Sequence, residues 1–230
     1  MRIAEPSTLV TDWLLALFTA WLAWELFRQA YRLKDRAIGL WLGAFCAVAV
    51  SAALGGAWHA FSAQMDQSLA APLWSGTVIF ASAGSLLFLL STLHIYASGR
   101  LLSILAGVAV SKFALIALWL GVNEDFRIVV YDSALTMLVI VALNTWGAWA
   151  RHLPSAPWIL AGMLVSLLAA LFQQGRVSLH PHFNHNDLYH VIQMGAMYLL
   201  CRGGLLLQER EPAAPDFEAT QPPPPLAGEE

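Results

Sequence analysis

The feature that most constrains this chain is a series of seven apolar runs, each long enough to cross a lipid bilayer as a helix. A transmembrane helix needs about 20 mainly apolar residues. Only short polar segments such as "RLKDR" and "NEDFR" separate the runs. Because helices joined so closely pack as neighbours, we predict an all-α membrane protein, a single seven-transmembrane helix bundle over residues 1–210. The predicted spans are 8–30, 37–61, 72–97, 101–122, 127–150, 157–174 and 186–207.

The composition agrees with a membrane protein and bears on its partners. Charged residues make up 12% of the 230-residue chain, about half of the roughly 25% that is usual in soluble domains. The chain has no basic patch that would bind nucleic acid. We therefore expect membrane lipids around it, and a lipid substrate or a small-molecule ligand as its partner. Cys46 and Cys201 both lie in apolar runs, so a structural disulfide is not expected.

The positively charged residues predict the orientation. Cytoplasmic loops of membrane proteins carry an excess of Lys and Arg. One side of the predicted bundle holds eight of these residues and the other holds three, so we place the N-terminus outside and the C-terminus in the cytoplasm. We expect a multi-pass protein of a bacterial inner membrane. The first apolar run is expected to stay as a span rather than to be cleaved as a signal peptide. The acidic, Pro-rich tail at 211–230 is predicted to be disordered. The eight are Arg28, Arg32, Lys34, Arg36, Arg100, Arg151, Arg202 and Arg210, and the three are Arg2, Arg127 and Arg176.

The stretch "HPHFNHNDLYH" at 180–190 holds four of the seven histidines and opens the last apolar run. Ionisable groups inside a span are costly, and each one is a candidate functional residue. By position along the spans, His59, Asp132, Asp187 and His190 lie in one layer near the outer surface. Asp12 lies at the outer end of the first span. The layer is the strongest functional signal in the sequence.

The seventh span carries a polar stripe. Asn186, His190, Gln193 and Met197 follow the spacing of one helix face, with Asp187 beside them. Such a face is expected to point into the bundle and to form part of a pocket.

Lys112 lies near the middle of the fourth span. A lysine stem can extend toward the surface, which would bring its ammonium to the depth of Asp132 on the next span. We consider an ion pair between Lys112 and Asp132, and alternatively a lysine tuned for proton transfer.

The residue types in the layer allow a metal site. Zinc accepts imidazole and carboxylate ligands, and a catalytic zinc has three protein ligands and a water molecule. The candidate ligands are His59, His185 and His190, with Asp132 and Asp187 as catalytic carboxylates that accept a proton. Asn186, Gln193 and Lys112 would form the pocket wall. Two alternatives stay open: a functional site without metal, and histidines that only hydrogen-bond between helices.

The chain also resembles a known group of membrane proteins. The seven helices, the His at the end of the second one and the Asx-x-x-x-His element that opens the seventh resemble the alkaline ceramidase and adipoQ-receptor superfamily. "FNHNDLYHVIQ" is also similar to uncharacterised bacterial membrane proteins related to it. The resemblance implies zinc bound by His59 and His190. It departs at Asn186, where the superfamily has the first His of a pair, and at Gly55, where it has a Ser.

These observations lead to two functional hypotheses. The first is a zinc-dependent hydrolase that acts on the amide or ester of a lipid or other amphiphile from an outward-facing polar pocket. The second is a receptor or sensor without enzymatic activity that binds a small ligand, or senses pH, in the same pocket. A transporter is less favoured because the chain shows no inverted repeat.

Overall fold

The computed structural model describes residues 3–123, 127–180 and 182–207. Over these residues the chain is helical, and it contains no β-strand beyond one isolated bridge between His180 and Phe183. A short 3-10 turn, Ser62–Gln64, follows the second helix. The seven α-helices of the described part are α1 (Pro6–Leu33), α2 (Arg36–Phe61), α3 (Gln67–Tyr96), α4 (Gly99–Leu120), α5 (Arg127–Ala150), α6 (Ala156–Gln174) and α7 (His185–Gly204).

The all-helical prediction is confirmed, and six of these helices, α1 to α6, are long and apolar enough to cross a membrane. The chain therefore reads as a multi-pass membrane protein. Helix α7 has 20 residues, but its Asn, Asp, His, Gln and Arg side chains make it more polar than the other six. That α7 is a seventh span, and that the N-terminus lies outside, stay predictions. The predicted disordered tail at 211–230 lies outside the described residues.

The helix ends differ from the predicted spans by a few residues, since helices continue past the apolar layer. Helix α3 begins at Gln67, five residues before the predicted start, and contains Pro72 within its second turn. Helix α1 continues to Leu33 and ends where Lys34 adopts a left-handed conformation, with φ of 53°.

The bundle is closed by a contact between the first and last helices. Helix α1 packs between α2 and α7, α6 packs on α7, and α3 contacts α2, α4 and α5. Helix α4 is peripheral, because among its residues only Ala109 and Leu120 are buried. The core includes Trp41, whose indole Nε1 donates a hydrogen bond to the backbone oxygen of Leu200 at 3.0 Å.

Gly56 brings α1 and α2 together at the end of the bundle where α1 and α7 begin, called here the site end. A Cβ atom on Gly56 would lie 2.5 Å from Trp13 Cδ1 and 2.9 Å from Asp12 Cβ. Such a distance is far shorter than a normal contact, so only glycine allows this approach. The close contact holds Asp12 against the helix that carries His59.

Candidate functional site

The site begins at the first turn of α7, where the sequence "NHND" forms a reciprocal cap. Asn184 is the N-cap residue, and its side-chain oxygen accepts hydrogen bonds from the backbone N–H groups of Asn186 at 2.7 Å and Asp187 at 3.3 Å. In return, Asp187 Oδ2 accepts from the backbone N–H of Asn184 at 2.8 Å. This capping box satisfies backbone donors that a helix start leaves free. It also fixes the direction of the Asp187 carboxylate.

The same cap residue joins α7 to α1. Asn184 Nδ2 donates to Thr8 Oγ1 at 3.1 Å, and Thr8 is fully buried. The start of the last helix is therefore bonded to the start of the first one.

The central side chain of the site is His190, which lies between a carboxylate and a hydroxyl group. His190 Nε2 is 3.0 Å from Asp12 Oδ1, and His190 Nδ1 is 3.0 Å from Thr11 Oγ1. Thr11 Oγ1 is also 3.2 Å from Asp187 Oδ1. His190 is only 6% exposed, Asp12 4% and Asp187 0%. We call Thr8, Thr11, Asp12, Asn184, Asp187 and His190 the α1–α7 network.

His59 lies at the border of this network. Its Nδ1 atom is 3.1 Å from Oε2 of the partly exposed Glu5, but Nδ1 has no hydrogen-bond partner among the described residues. His59 is near enough to Asp187, His185 and His190 to interact with them electrostatically. His190 takes its direct partners from α1 rather than from His59. That His59, Asp132, Asp187 and His190 lie in one layer stays a prediction.

Asp132 lies in a second polar cluster. Lys112 Nζ donates to Asp132 Oδ1 and to Thr136 Oγ1 at 3.0 Å. The predicted Lys112–Asp132 ion pair is confirmed. This pair joins α4 to α5, which contacts α3 and α6 rather than forming a main contact with α1 or α7. The structure thus places Asp132 and Lys112 apart from the α1–α7 network.

The polar stripe of α7 is divided between two neighbouring helices. Asn186 Oδ1 accepts from Gln173 Nε2 at 3.1 Å, and Gln193 Nε2 donates to Ser166 Oγ at 3.1 Å. Both partners belong to α6. Asp187 and His190, further round the same helix, contact α1.

A polar cleft lies above the network at the surface of the site end. It has a volume of about 420 Å³ and places Asn184 of the network at its floor. His182 in its wall follows His180, whose Nδ1 accepts from the backbone N–H of His182 at 3.1 Å. The cleft is lined by Ala4, Glu5, Pro6, Ser7, His182 and Asn184.

A catalytic zinc ion would require three protein ligands that lie close together and have free donor atoms. Among the residues that the structure describes, no three His, Cys, Asp or Glu side chains are grouped so that they could hold a metal. Both ring nitrogens of His190 already have protein partners, and so do both oxygens of Asp187. This arrangement does not fit a zinc site with three protein ligands, and we derive no chemical step through a metal. Zinc binding by His59, His185 and His190 stays a prediction from the sequence.

Thr8, Thr11 and the cap residue Asn184 are members of the site that the sequence reasoning missed. The signal was present in "TLVTD", where Thr8, Thr11 and Asp12 have the i, i+3, i+4 spacing of one helix face. Threonines are common in membrane helices, where they bond to their own backbone, and Thr11 does so with the Thr8 carbonyl oxygen at 3.2 Å. This face becomes part of the site only through its contact with α7, which the sequence does not indicate.

Comparison with known proteins gives one match. The profile of a family described as "Family of unknown function (DUF6962)" matches residues 7–209, which includes every helix of the bundle. No curated protein and no solved structure matches the chain.

Proposed function

We propose that this chain, which belongs to the DUF6962 family of unknown function, is a membrane-embedded hydrolase that acts on an ester or amide bond of a lipid or other amphiphile. One observation carries the proposal: His190 has a carboxylate at 3.0 Å on one ring nitrogen and a hydroxyl at 3.0 Å on the other. A base within hydrogen-bond reach of a hydroxyl and oriented by a third group is the arrangement of many hydrolytic sites.

The roles follow from the contacts. His190 Nδ1 acts as the general base that takes the proton of the Thr11 hydroxyl as Thr11 Oγ1 attacks the carbonyl carbon of the ester or amide. The imidazolium gives this proton to the alcohol or amine that leaves. A water molecule, deprotonated by the same imidazole, then cleaves the acyl–Thr11 ester and restores the hydroxyl. Asp12 fixes the ring orientation and stabilises the imidazolium that forms. Asp187 accepts a hydrogen bond from Thr11 and orients this hydroxyl, so the proton-accepting role predicted for Asp187 passes to His190 in this proposal. Asp132 is engaged by Lys112.

The surface beside the site supports an amphiphilic substrate. An apolar groove of about 320 Å³ runs along the exposed face of α1 and is bordered by Phe61 of α2. An acyl chain in this groove would place a polar head near the site end. A substrate of this kind would reach the protein from the bilayer rather than from water. The groove is lined by Leu9, Val10, Trp13, Leu14, Leu17 and Phe61.

The test is a hydrolysis assay on the purified protein in detergent or nanodiscs. The substrates are chromogenic esters and anilides with acyl chains from acetyl to palmitoyl. We expect turnover that favours long chains and falls by about 10²–10⁴-fold in His190→Ala, the usual contribution of a general base. His152→Asn, which changes an exposed histidine between α5 and α6, away from the site end, is the control and keeps the activity. Asparagine is chosen because His152 has a φ of 50°, which asparagine tolerates better than alanine. Equal rates in His190→Ala and the wild type would refute the assignment.

A receptor or sensor is the second candidate, and the burial of the network favours it. The network bonds α1 to α7 through side chains that are almost entirely shielded from solvent, except for the partly exposed Asn184. A ligand or a proton that broke these bonds would change the packing of the two helices, which is how occupancy becomes a conformational signal. Ligand binding at the cleft without turnover of any substrate would favour this candidate over the hydrolase.

A further inference from the structure

One atom of the network lacks a partner. Asp12 Oδ1 faces His190, but Asp12 Oδ2 is buried and has no hydrogen-bond partner among the described residues. The side chain belongs to a residue that is only 4% exposed. A buried acceptor without a donor is costly and rare in folded proteins, and a carboxylate oxygen is costlier than a neutral one.

The space next to this carboxylate is formed by Gly55. A Cβ atom on Gly55 would lie 3.8 Å from Asp12 Oδ1, 3.9 Å from Asp12 Oδ2 and 3.4 Å from Thr77 Cγ2. All three are ordinary contact distances. Gly56 differs, because a Cβ there would collide with Trp13 at 2.5 Å. The packing of α1 on α2 thus requires glycine at position 56 but not at position 55.

We propose that Asp12 Oδ2 and Gly55 form a binding subsite for a compact hydrogen-bond donor, either a water molecule or the hydroxyl group of a bound amphiphile. The missing side chain at Gly55 leaves room for the donor, and Asp12 Oδ2 accepts its hydrogen bond. His59, one helical turn further along α2 and partly exposed, lies between the subsite and the surface. The subsite rests on the geometry of Asp12 and Gly55 and is independent of whether the chain is a hydrolase.

The first experiment supplies the donor from the protein itself. In Gly55→Ser the hydroxyl is one bond beyond the Cβ position and can reach Asp12 Oδ2, whereas Gly55→Ala adds the same Cβ without a donor. We expect Gly55→Ser to melt at least about 3 °C higher than Gly55→Ala, because a hydrogen bond to a charged group is gained. Both variants leave the glycine at 56 unchanged, so the packing of α1 on α2 is preserved. Equal melting temperatures, or a lower one for Gly55→Ser, would overturn the assignment.

The second experiment observes the occupant directly in the wild-type protein. A structure at a resolution that resolves ordered water should show density about 2.6–3.2 Å from Asp12 Oδ2, the range of hydrogen bonds to oxygen. An isolated peak identifies water, and density that continues into a chain identifies an amphiphile. In Gly55→Ser the serine hydroxyl should replace the peak. Clear water elsewhere in the interior, with none at Oδ2, would show that the subsite does not exist.

Discussion

At the residue scale, the central feature of the site is the set of atoms that contact the ring of His190. Its two ring nitrogens are used by Asp12 and Thr11, residues adjacent in sequence and 178 and 179 positions away from it. An imidazole held on both sides has a fixed orientation, as a general base requires. The hydroxyl of Thr11 is the one group that touches both His190 and Asp187. A substitution that removes the Thr11 hydroxyl therefore removes contacts with both His190 and Asp187.

We expect Thr11→Val, which removes this hydroxyl with little change in shape, to lower the free energy of unfolding by about 1–3 kcal/mol, since buried partners lose their bond. Thr11→Ser keeps the hydroxyl and should recover most of the loss. Thr19→Val is a matched control: Thr19 lies on the same helix, is 0% exposed, and its hydroxyl has no partner within the described part of the chain. Thermal melts of the four proteins measure the effect. A loss in Thr19→Val as large as that in Thr11→Val would show that burial, not the network, is responsible.

The sequence predicted some of these contacts and missed others for a physical reason. Position along a span gives the depth of a residue, and depth placed His59, Asp132, Asp187 and His190 in one predicted layer. It also predicted the Lys112–Asp132 pair, because α4 and α5 are consecutive helices. Depth does not say which helices are neighbours around the bundle. The contact of α1 with α7 therefore stayed hidden, and with it the contact of Asp12 with His190.

At the scale of elements, the position of α1 depends on one glycine. The distance of 2.5 Å between a Cβ on Gly56 and Trp13 Cδ1 means that any side chain at position 56 pushes α1 away from α2. Asp12 would move with α1, and its contact with His190 would lengthen. Stability and function are coupled at this crossing.

We expect Gly56→Ala to destabilise the protein by about 1–3 kcal/mol, as is usual for overpacked sites. Gly39→Ala provides the control on the same helix, because nothing lies within 4 Å of a Cβ atom at position 39. Alanine there should be neutral or stabilising, since it favours the helix over glycine. Melting temperatures in one detergent compare the two. If both substitutions have the same effect, the crossing is looser than the structure indicates.

At the scale of the whole molecule, the number of spans decides on which side the termini lie. Six helices of the described part of the chain are apolar enough to cross a membrane, and α7 is more polar because it carries the α1–α7 network residues Asp187 and His190. With α7 as a seventh span, the two termini lie on opposite sides. With six spans they lie on the same side. The polar residues of α7 face α1 and α6, so burial in the bundle compensates for low hydropathy.

We expect green fluorescent protein fused after the last residue to be fluorescent in a bacterial host, and alkaline phosphatase fused there to be inactive, because the C-terminus is predicted to be cytoplasmic. A cysteine introduced before Pro6 should react with a membrane-impermeant reagent in intact spheroplasts, in a background that lacks Cys46 and Cys201. Both termini on one side would show that α7 does not cross the membrane.

The central claim is that Asp12 and His190, from opposite ends of the chain, act as one hydrolytic unit. A double-mutant cycle on the rate of amphiphile hydrolysis, with Asp12→Asn, His190→Gln and both together, tests it most directly. Residues that act as a unit have strongly non-additive effects. The account predicts that the double variant is no slower than His190→Gln alone. If the fold-loss in kcat/KM of the double variant equals the product of the fold-losses of the two single variants, the claim is contradicted.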